Sequence, residues 1–465
     1  MSELPHKLPL PELSVLPRCL GLLGVLFLTL SAASPASSLF IIVPGMLQSA
    51  GSGTLWAFLL ASVVCVATAY VYAELSAAFP LTGGEYVMVG RTLGPCAGFV
   101  ILVVNLISNV IFLPVVGLGV SAVLGTVVPG LPAVPVAIAV VVGSTLCAAL
   151  NIRVNALVTG IFLGIEVIAL LILVVLGLLH PVQPILPMLA HPTMEAHGAL
   201  IATSLPAIGL ATTVAIFALN GYGMAVYFGE EMHEPERRIA GVILLSFVLT
   251  FLLEVAPIVT VLLGAPDLPR LFAADDPFGM FIVAYGGSWL ARVVAVGVAV
   301  AIVNAAIVTI LAAARFFWCT ARHRTWGVHW DALIGHVHPR LRSPLVATVG
   351  MGLLGTAGCF VSLSFLLILS GGGLIVTYAA IAVAAIAGRR GGATAHGPYR
   401  MPLFPAAPVV TLIALVGVLY ANWQDVEQGR PALIATAAQM LFAVGYYWLV
   451  LRPRGWEAHA ILPVE

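Results

Sequence analysis

The chain has 465 residues, of which 61% are hydrophobic and only 8% charged, and its 19 basic residues balance 19 acidic ones. A soluble domain carries about 25% charged residues. At a mean hydropathy of +1.12, the composition therefore excludes a soluble fold and points to an all-α membrane protein with many spans. Zero net charge excludes a basic nucleic-acid surface.

A bilayer crossing needs about 20 apolar residues. Residues 1–18 read as an N-terminal tail without the short apolar run and cleavage site of a signal peptide. Twelve spans are predicted after it: 19–47, 53–79, 94–126, 133–150, 155–179, 203–228, 238–264, 281–319, 344–367, 370–388, 403–422 and 431–451. Several exceed what a bilayer requires, which allows tilt without fixing an angle. The loops between them are short, so 19–452 reads as a single membrane domain followed by a tail at 453–465. The six cysteines (Cys19, Cys65, Cys96, Cys147, Cys319, Cys359) form no CxxC pair and no metal spacing, so neither cofactor nor metal is expected.

Lysine and arginine set the orientation. With both termini cytoplasmic, only Arg270, Arg292 and Arg430 of the 19 basic residues fall outside, and both tails are then cytoplasmic. The expected place is a bacterial inner membrane or a plasma membrane.

Two spans are interrupted where the bilayer centre falls. Span 1 reads Leu30-Ser31-Ala32-Ala33-Ser34-Pro35-Ala36-Ser37-Ser38-Leu39, and span 6 reads Ile216-Phe217-Ala218-Leu219-Asn220-Gly221-Tyr222-Gly223. Hydrocarbon supplies no hydrogen bonds, so irregular backbone at that depth survives only inside protein or beside a water-filled cavity. The breaks lie five spans apart, and an odd repeat length inverts the second copy. This predicts inverted repeats at about 19–180 and 200–388, with spans 11 and 12 (403–451) outside them. Paired breaks of this kind point to a transporter binding site.

The loops carry an ordered set of motifs: Tyr72-Ala73-Glu74-Leu75-Ser76-Ala77-Ala78-Phe79-Pro80, Leu81-Thr82-Gly83-Gly84-Glu85-Tyr86 and Leu93-Gly94-Pro95; then Gly229-Glu230-Glu231-Met232-His233-Glu234-Pro235-Glu236-Arg237-Arg238-Ile239; then Ala314-Arg315, Arg342-Ser343-Pro344 and Pro398-Tyr399-Arg400-Met401-Pro402-Leu403-Phe404-Pro405. The set covers essentially the whole chain and resembles the amino acid–polyamine–organocation transporter superfamily. The resemblance implies a LeuT-type five-plus-five fold with broken helices 1 and 6 and two extra C-terminal helices. It also implies secondary transport of amino acids or related amines. Where the family has a Gly-Ser-Gly-type run, this chain has Ala36-Ser37-Ser38 after Ser34-Pro35, which implies a differently shaped pocket.

A helix start exposes N–H groups and a partial positive charge, and a helix end exposes carbonyls and a partial negative charge. The N–H groups of Ser37, Ser38 and Leu39 are expected to take a substrate carboxylate. The carbonyls of Ala32, Ala33, Phe217, Ala218 and Leu219 are expected to take an ammonium group. The alternative is a proline kink in span 1 and a packing glycine in span 6. Asn220 and Tyr222 are the polar side chains nearest the second break. Asn109 matches a family position that contacts substrate and shares a face with Asn105; Asn304 in span 8 is similar, and helix–helix hydrogen bonding is the alternative for all three asparagines. Phe217 reads as a gate or a core aromatic.

Glu166 and Glu254 lie inside spans 5 and 7, where a carboxylate is expensive and points to function, and where burial favours the neutral acid. Both are proton-coupling candidates; the alternative is a neutral structural acid. The lysine that some proton-coupled family members carry in span 5 is Phe162 here. Arg315 reads as a snorkelling side chain, and Glu74, Glu85, Glu230 and Glu231 as partners in ion-pair networks at the cytoplasmic face, an inner gate or simply solvated loop charges. Most of the histidines lie in loops or termini, which argues against a membrane enzyme, and two paired breaks argue against a channel. No carboxylate flanks the breaks in sequence, so the expected substrate is a neutral zwitterionic amino acid, with a polyamine or other organic cation as the rival. Span 8 offers mainly Asn304 and Thr309 as oxygen ligands, which favours a proton over sodium. Besides lipid and substrate no partner is expected, and monomer or homodimer stays open.

Overall fold

The computed structural model describes residues 16–456, except 126, 127, 129, 363, 364, 367, 368, 370 and 371. Most of both tails, the end of span 3 at Thr126, and the end of span 9 with the start of span 10 therefore lie outside the described residues.

The elements run α1 (Leu22–Ala33), α2 (Pro35–Ser37), a π-helical stretch Ser38–Ile42, α3 (Val43–Ala50), α4 (Thr54–Ala78), α5 (Glu85–Leu93), α6 (Pro95–Gly125), α7 (Ala133–Ala148), α8 (Ile152–Leu179) and α9 (Ile185–Ala190). After the strands β1 (Thr193–Ala196) and β2 (Ala199–Ala202) come α10 (Leu205–Ala218), a 3-10 stretch Tyr222–Glu231, α11 (Pro235–Gly264), α12 (Leu268–Ala273), α13 (Pro277–Arg322), α14 (Val328–Ile334) and α15 (Leu345–Gly358). The chain then continues through α16 (Gly373–Arg390), α17 (Ala406–Gln424) and α18 (Gly429–Tyr446). Among the described residues, nine helical stretches are long and apolar enough to cross a membrane, and Ala133–Ala148 and Leu345–Gly358 are shorter apolar helices. This is an all-α membrane protein.

The helices are amphipathic in the sense suited to lipid. On α8 the exposed side chains Leu157, Ile161, Ile165, Ile168, Leu171, Val175 and Leu178 recur every three or four residues, the spacing of one helical face. The opposite face buries Asn155, Thr159, Glu166 and Gly177. Polar groups therefore face protein and apolar ones face outward. At Gly177 a Cβ would stand 2.1 Å from the Thr260 carbonyl, so the missing side chain lets α8 and α11 pack backbone to backbone. α1 lies against α8, α11 and α13, and α11 also packs on α4.

A hairpin packs against α3 and α12. Strands β1 and β2 pair antiparallel, with Thr193 opposite Ala202. His197 (φ 55°) and Gly198 (φ 81°) form the turn, and two positive-φ residues match the right-handed twist of the strands. The hairpin seats on Gly51, where a Cβ would stand 2.1 Å from the Thr193 carbonyl. The predicted spans leave 180–202 as a connection between spans 5 and 6, and the hairpin is what the structure adds there.

Candidate functional site

Proline causes the first break. Its ring disfavours the α conformation in the preceding residue. Ser34 accordingly sits at φ 44° and ψ 70°, a left-handed conformation uncommon for a side-chain-bearing residue. Ser34 N–H still donates to Leu30 O at 2.9 Å, and the helix restarts with Pro35 as its first residue, where proline's missing N–H costs nothing. The restart is thus two residues earlier than the expected Ser37.

The second break falls where expected. α10 ends at Ala218, and Gly221 takes φ 120° and ψ −23°. A Cβ there would stand 2.5 Å from Ala33 Cα, so the two breaks touch at Ala33 and Gly221. Gly221→Ala is expected to abolish uptake and to lower stability by about 1–3 kcal/mol, the usual cost of such a strained backbone. Thermal unfolding and uptake of the variant check this, and a wild-type profile in both would refute it.

Two of the chain's own groups engage the helix ends, one of them at a carbonyl, Ala218 O, expected to face an ammonium group and the other at Ala36 N–H, next to the expected Ser37 N–H. Glu166 Oε1 accepts from Ala36 N–H at 2.9 Å and from Ser34 Oγ at 3.3 Å. The N–H group exposed at the restart is therefore capped by the chain's own carboxyl. Ser38 Oγ donates to Ala218 O at 3.2 Å, engaging a carbonyl expected to receive an ammonium group. The expectation that no carboxylate flanks the breaks is corrected. Glu166 is 130 residues from Ala36 in sequence, and only the packing of α8 against α1 brings it there. Glu254 of α11 is fully buried, approaches Glu166 and the Ser38 hydroxyl, and makes no hydrogen bond of regular geometry with either carboxyl oxygen.

The remaining candidates sort by environment. Ala36, Leu219 and Tyr222 are fully buried and Ser34, Ser38 and Ala218 nearly so, while Ser37, Asn109 and Asn220 are half-buried. Asn220 Oδ1 accepts from Tyr378 OH at 2.6 Å, and Tyr72 lies edge-on to both Tyr222 and Tyr378. Tyr72 enters the sequence analysis only as the first residue of a loop motif, and Tyr378, a lone tyrosine in an apolar run, does not enter it at all. Phe217 is 50% exposed, on one face with Leu210 and Val214, so the core-aromatic reading is corrected. Asn304 Nδ2 donates to Ser31 Oγ at 2.8 Å and to Thr159 O at 3.1 Å. It ties α13 to α1 and α8, one turn from the break. Asn109 Nδ2 bonds back to Asn105 O at 2.8 Å.

Glu85 departs from its expected role as a loop ion pair. It is buried and accepts from Tyr72 OH at 2.9 Å, Tyr227 OH at 2.8 Å and Asn105 Nδ2 at 3.2 Å. Asn105 Oδ1 in turn accepts from Thr377 Oγ1 at 2.7 Å. Burial pushes the Glu85 carboxyl above the usual carboxylate range, and the bonds from its own backbone N–H, Tyr227, Tyr72 and Asn105 oppose the shift. The cluster ties α4, α5, α6, α16 and the 3-10 stretch together.

The basic end is closed by ion pairs, as expected for Glu74, Glu230 and Glu231. Arg389 Nη2 meets Glu74 at 2.5 Å, and Arg322 Nη1 meets Glu230 at 2.5 Å. Arg315 pairs with Glu231 with both side chains fully buried, which corrects the snorkelling reading. The backbone joins the closure: Cys19 and Leu20 N–H both donate to Glu231 O at 2.9 Å, and His233 N–H donates to Leu20 O at 3.0 Å. The strap before α1 is therefore stitched to the strap after the second break.

Comparison with known proteins agrees with this architecture. Residues 20–449 match the family described as amino acid permease. The chain belongs to the amino acid permease family. The permease is 28% identical over 348 residues to an uncharacterized transporter of Mycobacterium tuberculosis, covering 73% of each chain. It is 24% identical over 453 residues to the methylthioribose transporter of Bacillus subtilis, covering 90% of this chain and 93% of that one. It is 22% identical over 433 residues to a branched-chain amino acid permease of Bacillus subtilis, covering 86% and 88%. The family and these relatives are transporters, which agrees with a role other than catalysis.

Proposed function

We propose that this permease is a secondary transporter that carries a small amino-acid-class solute by alternating access. The observation that carries the reading is the contact between two broken helices at Ala33 and Gly221, with half-buried Ser37 and Asn220 beside them. Counting Leu22–Ala78 as two crossings, and the two shorter apolar helices as one each, the fold takes twelve spans. Spans 1–5 and 6–10 form the inverted repeats of one transporter domain, with the basic end and both termini in the cytoplasm. Ser34, Ala36, Ser37, Ser38, Asn109, Ala218, Leu219, Asn220 and Tyr222 surround the solute in this reading. Asn304 braces α1, while Phe217, on the outward face of α10 with Leu210 and Val214, stands outside this set.

A neutral amino acid such as leucine is the first substrate to test in proteoliposomes, and methylthioribose, which a relative's name suggests, the second. Ser37→Trp is expected to reduce uptake to background while leaving the thermal unfolding profile intact. Wild-type uptake by that folded variant would remove Ser37 from the site. The carboxyl of Glu166 at the break favours a second reading, an organic cation. Putrescine that competes with uptake where leucine does not would select it.

Coupling is to protons. Glu166 is the coupling residue because its carboxyl joins the helix break while its second oxygen has no partner among the described residues.

A further inference from the structure

α11 carries Ser246, Thr250 and Glu254 at successive four-residue steps, hence on one face. All three are fully buried; neither hydroxyl has a hydrogen-bond partner among the described residues, and the Glu254 carboxyl has the Ser38 hydroxyl near it but no bond of regular geometry. This is not how hydroxyls in these helices usually behave. Thr29, Thr68, Thr159, Thr411 and Thr436 each donate to the carbonyl four residues back. Thr260, on α11 itself, does the same at 2.9 Å. That local bond is the default for a helical hydroxyl in an apolar setting. Ser246 and Thr250 leave it unmade, at a desolvation cost of about 1–3 kcal/mol each. Such groups are retained in proteins where bound water or a ligand satisfies them.

The spacing suits water. Four residues advance a helix by about 6 Å. That rise is too long for a direct hydrogen bond between successive side chains, and water, with bonds of roughly 2.8 Å, is the group of a size to bridge them. The titratable groups around the file are Glu166 from α8, Cys65 from α4 and Tyr222 from the 3-10 stretch. The Tyr222 ring lies edge-on to Phe247 at 5.8 Å, beside Ser246, and its buried hydroxyl has Tyr378 and Cys65 as neighbours without a bond of regular geometry to either. None of these groups is a cation, and an uncompensated carboxylate at this depth is expensive, which favours a carboxyl that holds a proton or a bound ion.

We propose that Ser246, Thr250 and Glu254, completed by bound water, form a proton-holding file along α11 that ends beside the break of the first span, with the Tyr222 hydroxyl as its neighbour. The file rests on the proton-linked reading above and adds a second carboxyl to Glu166. Both carboxyls are buried and lie by the break of the first span, Glu166 against Ala36 and Ser34 and Glu254 near Ser38, and two carboxylates sharing one site disfavour each other.

Infrared spectroscopy of the full-length protein in liposomes, during exchange of water for deuterium oxide at fixed pH, tests the file without any substrate. One protonated-carboxyl band should disappear in Glu254→Gln. In the wild type that band should exchange promptly. In Ser246→Ala and Thr250→Val exchange should slow by up to about tenfold, the factor equivalent to one net hydrogen bond, and Thr250→Ser should restore the rate. Unchanged exchange in both hydroxyl variants would overturn the file. So would loss of the Glu254 acid band when sodium chloride replaces choline chloride, which would make the place a sodium site. If leucine and putrescine uptake both ignore a pH gradient while the band behaves as expected, the file stands and the coupling reading falls.

Discussion

Arg315→Ala is expected to destabilise the folded protein by about 3–5 kcal/mol, the range for stripping one partner from a buried ion pair. Arg315 and Glu231 are both fully buried. The guanidinium engages both carboxyl oxygens through Nε and Nη2, while Nη1 donates to Leu311 O at 3.0 Å. Its carbon lies 5.7 Å from the centre of the Phe228 ring. Removing the arginine leaves a carboxylate with no counter-charge, in the residue whose backbone oxygen anchors Cys19 and Leu20. Thermal unfolding in detergent should show a large fall for Arg315→Ala. The double variant Arg315→Met with Glu231→Leu should recover most of the loss, because an apolar pair of similar volume carries no desolvation penalty. A double variant that is stable yet leaks solute would show that the pair serves closure more than folding. An Arg315→Ala protein with the wild-type transition would mean that the ion pair contributes nothing to holding the basic end shut.

That pair also marks where sequence reasoning ends. The apolar runs were legible because a membrane helix must be apolar over its length, and both breaks were legible because Pro35 restricts the residue before it while Gly221 can take a positive φ that other residues avoid. Even the restart at Pro35 was available, since a serine before proline tends to leave the helix and proline prefers its first position. The partners of the buried charges were not. Arg315 and Glu231 are 84 residues apart, and Glu166 and Ala36 are 130 apart. Which of two facing turns a side chain meets depends on the rotation of packed helices, and no local pattern records it. Glu85 shows the same limit from the other side. A glutamate in a polar loop motif reads as solvent-facing, yet two tyrosines and an asparagine from three other elements close over it. The hairpin at 193–202 went unread because His197-Gly198 is a weak turn signal beside the Asn-Gly and Asp-Gly pairs that announce such turns.

Glu166→Gln is expected to abolish pH-driven accumulation while sparing exchange. The glutamine oxygen can still accept from Ala36 N–H and Ser34 Oγ, which now bond Glu166 Oε1, so the break keeps its geometry. What the amide cannot do is release a proton. One pH unit corresponds to about 1.36 kcal/mol, so a one-proton symporter with an inward gradient of about one unit concentrates its solute up to about tenfold. The wild type in proteoliposomes should approach that ratio with leucine. Glu166→Gln should stop at equal concentrations, yet still swap labelled for unlabelled leucine at a rate near the wild-type one. The contrast between accumulation and exchange is the diagnostic, because a merely structural role for Glu166 would depress both together. Accumulation that follows a sodium gradient at fixed pH, and is untouched by the substitution, would assign coupling elsewhere. Loss of exchange as well as accumulation, in a protein that unfolds normally, would make Glu166 part of the substrate's own binding set.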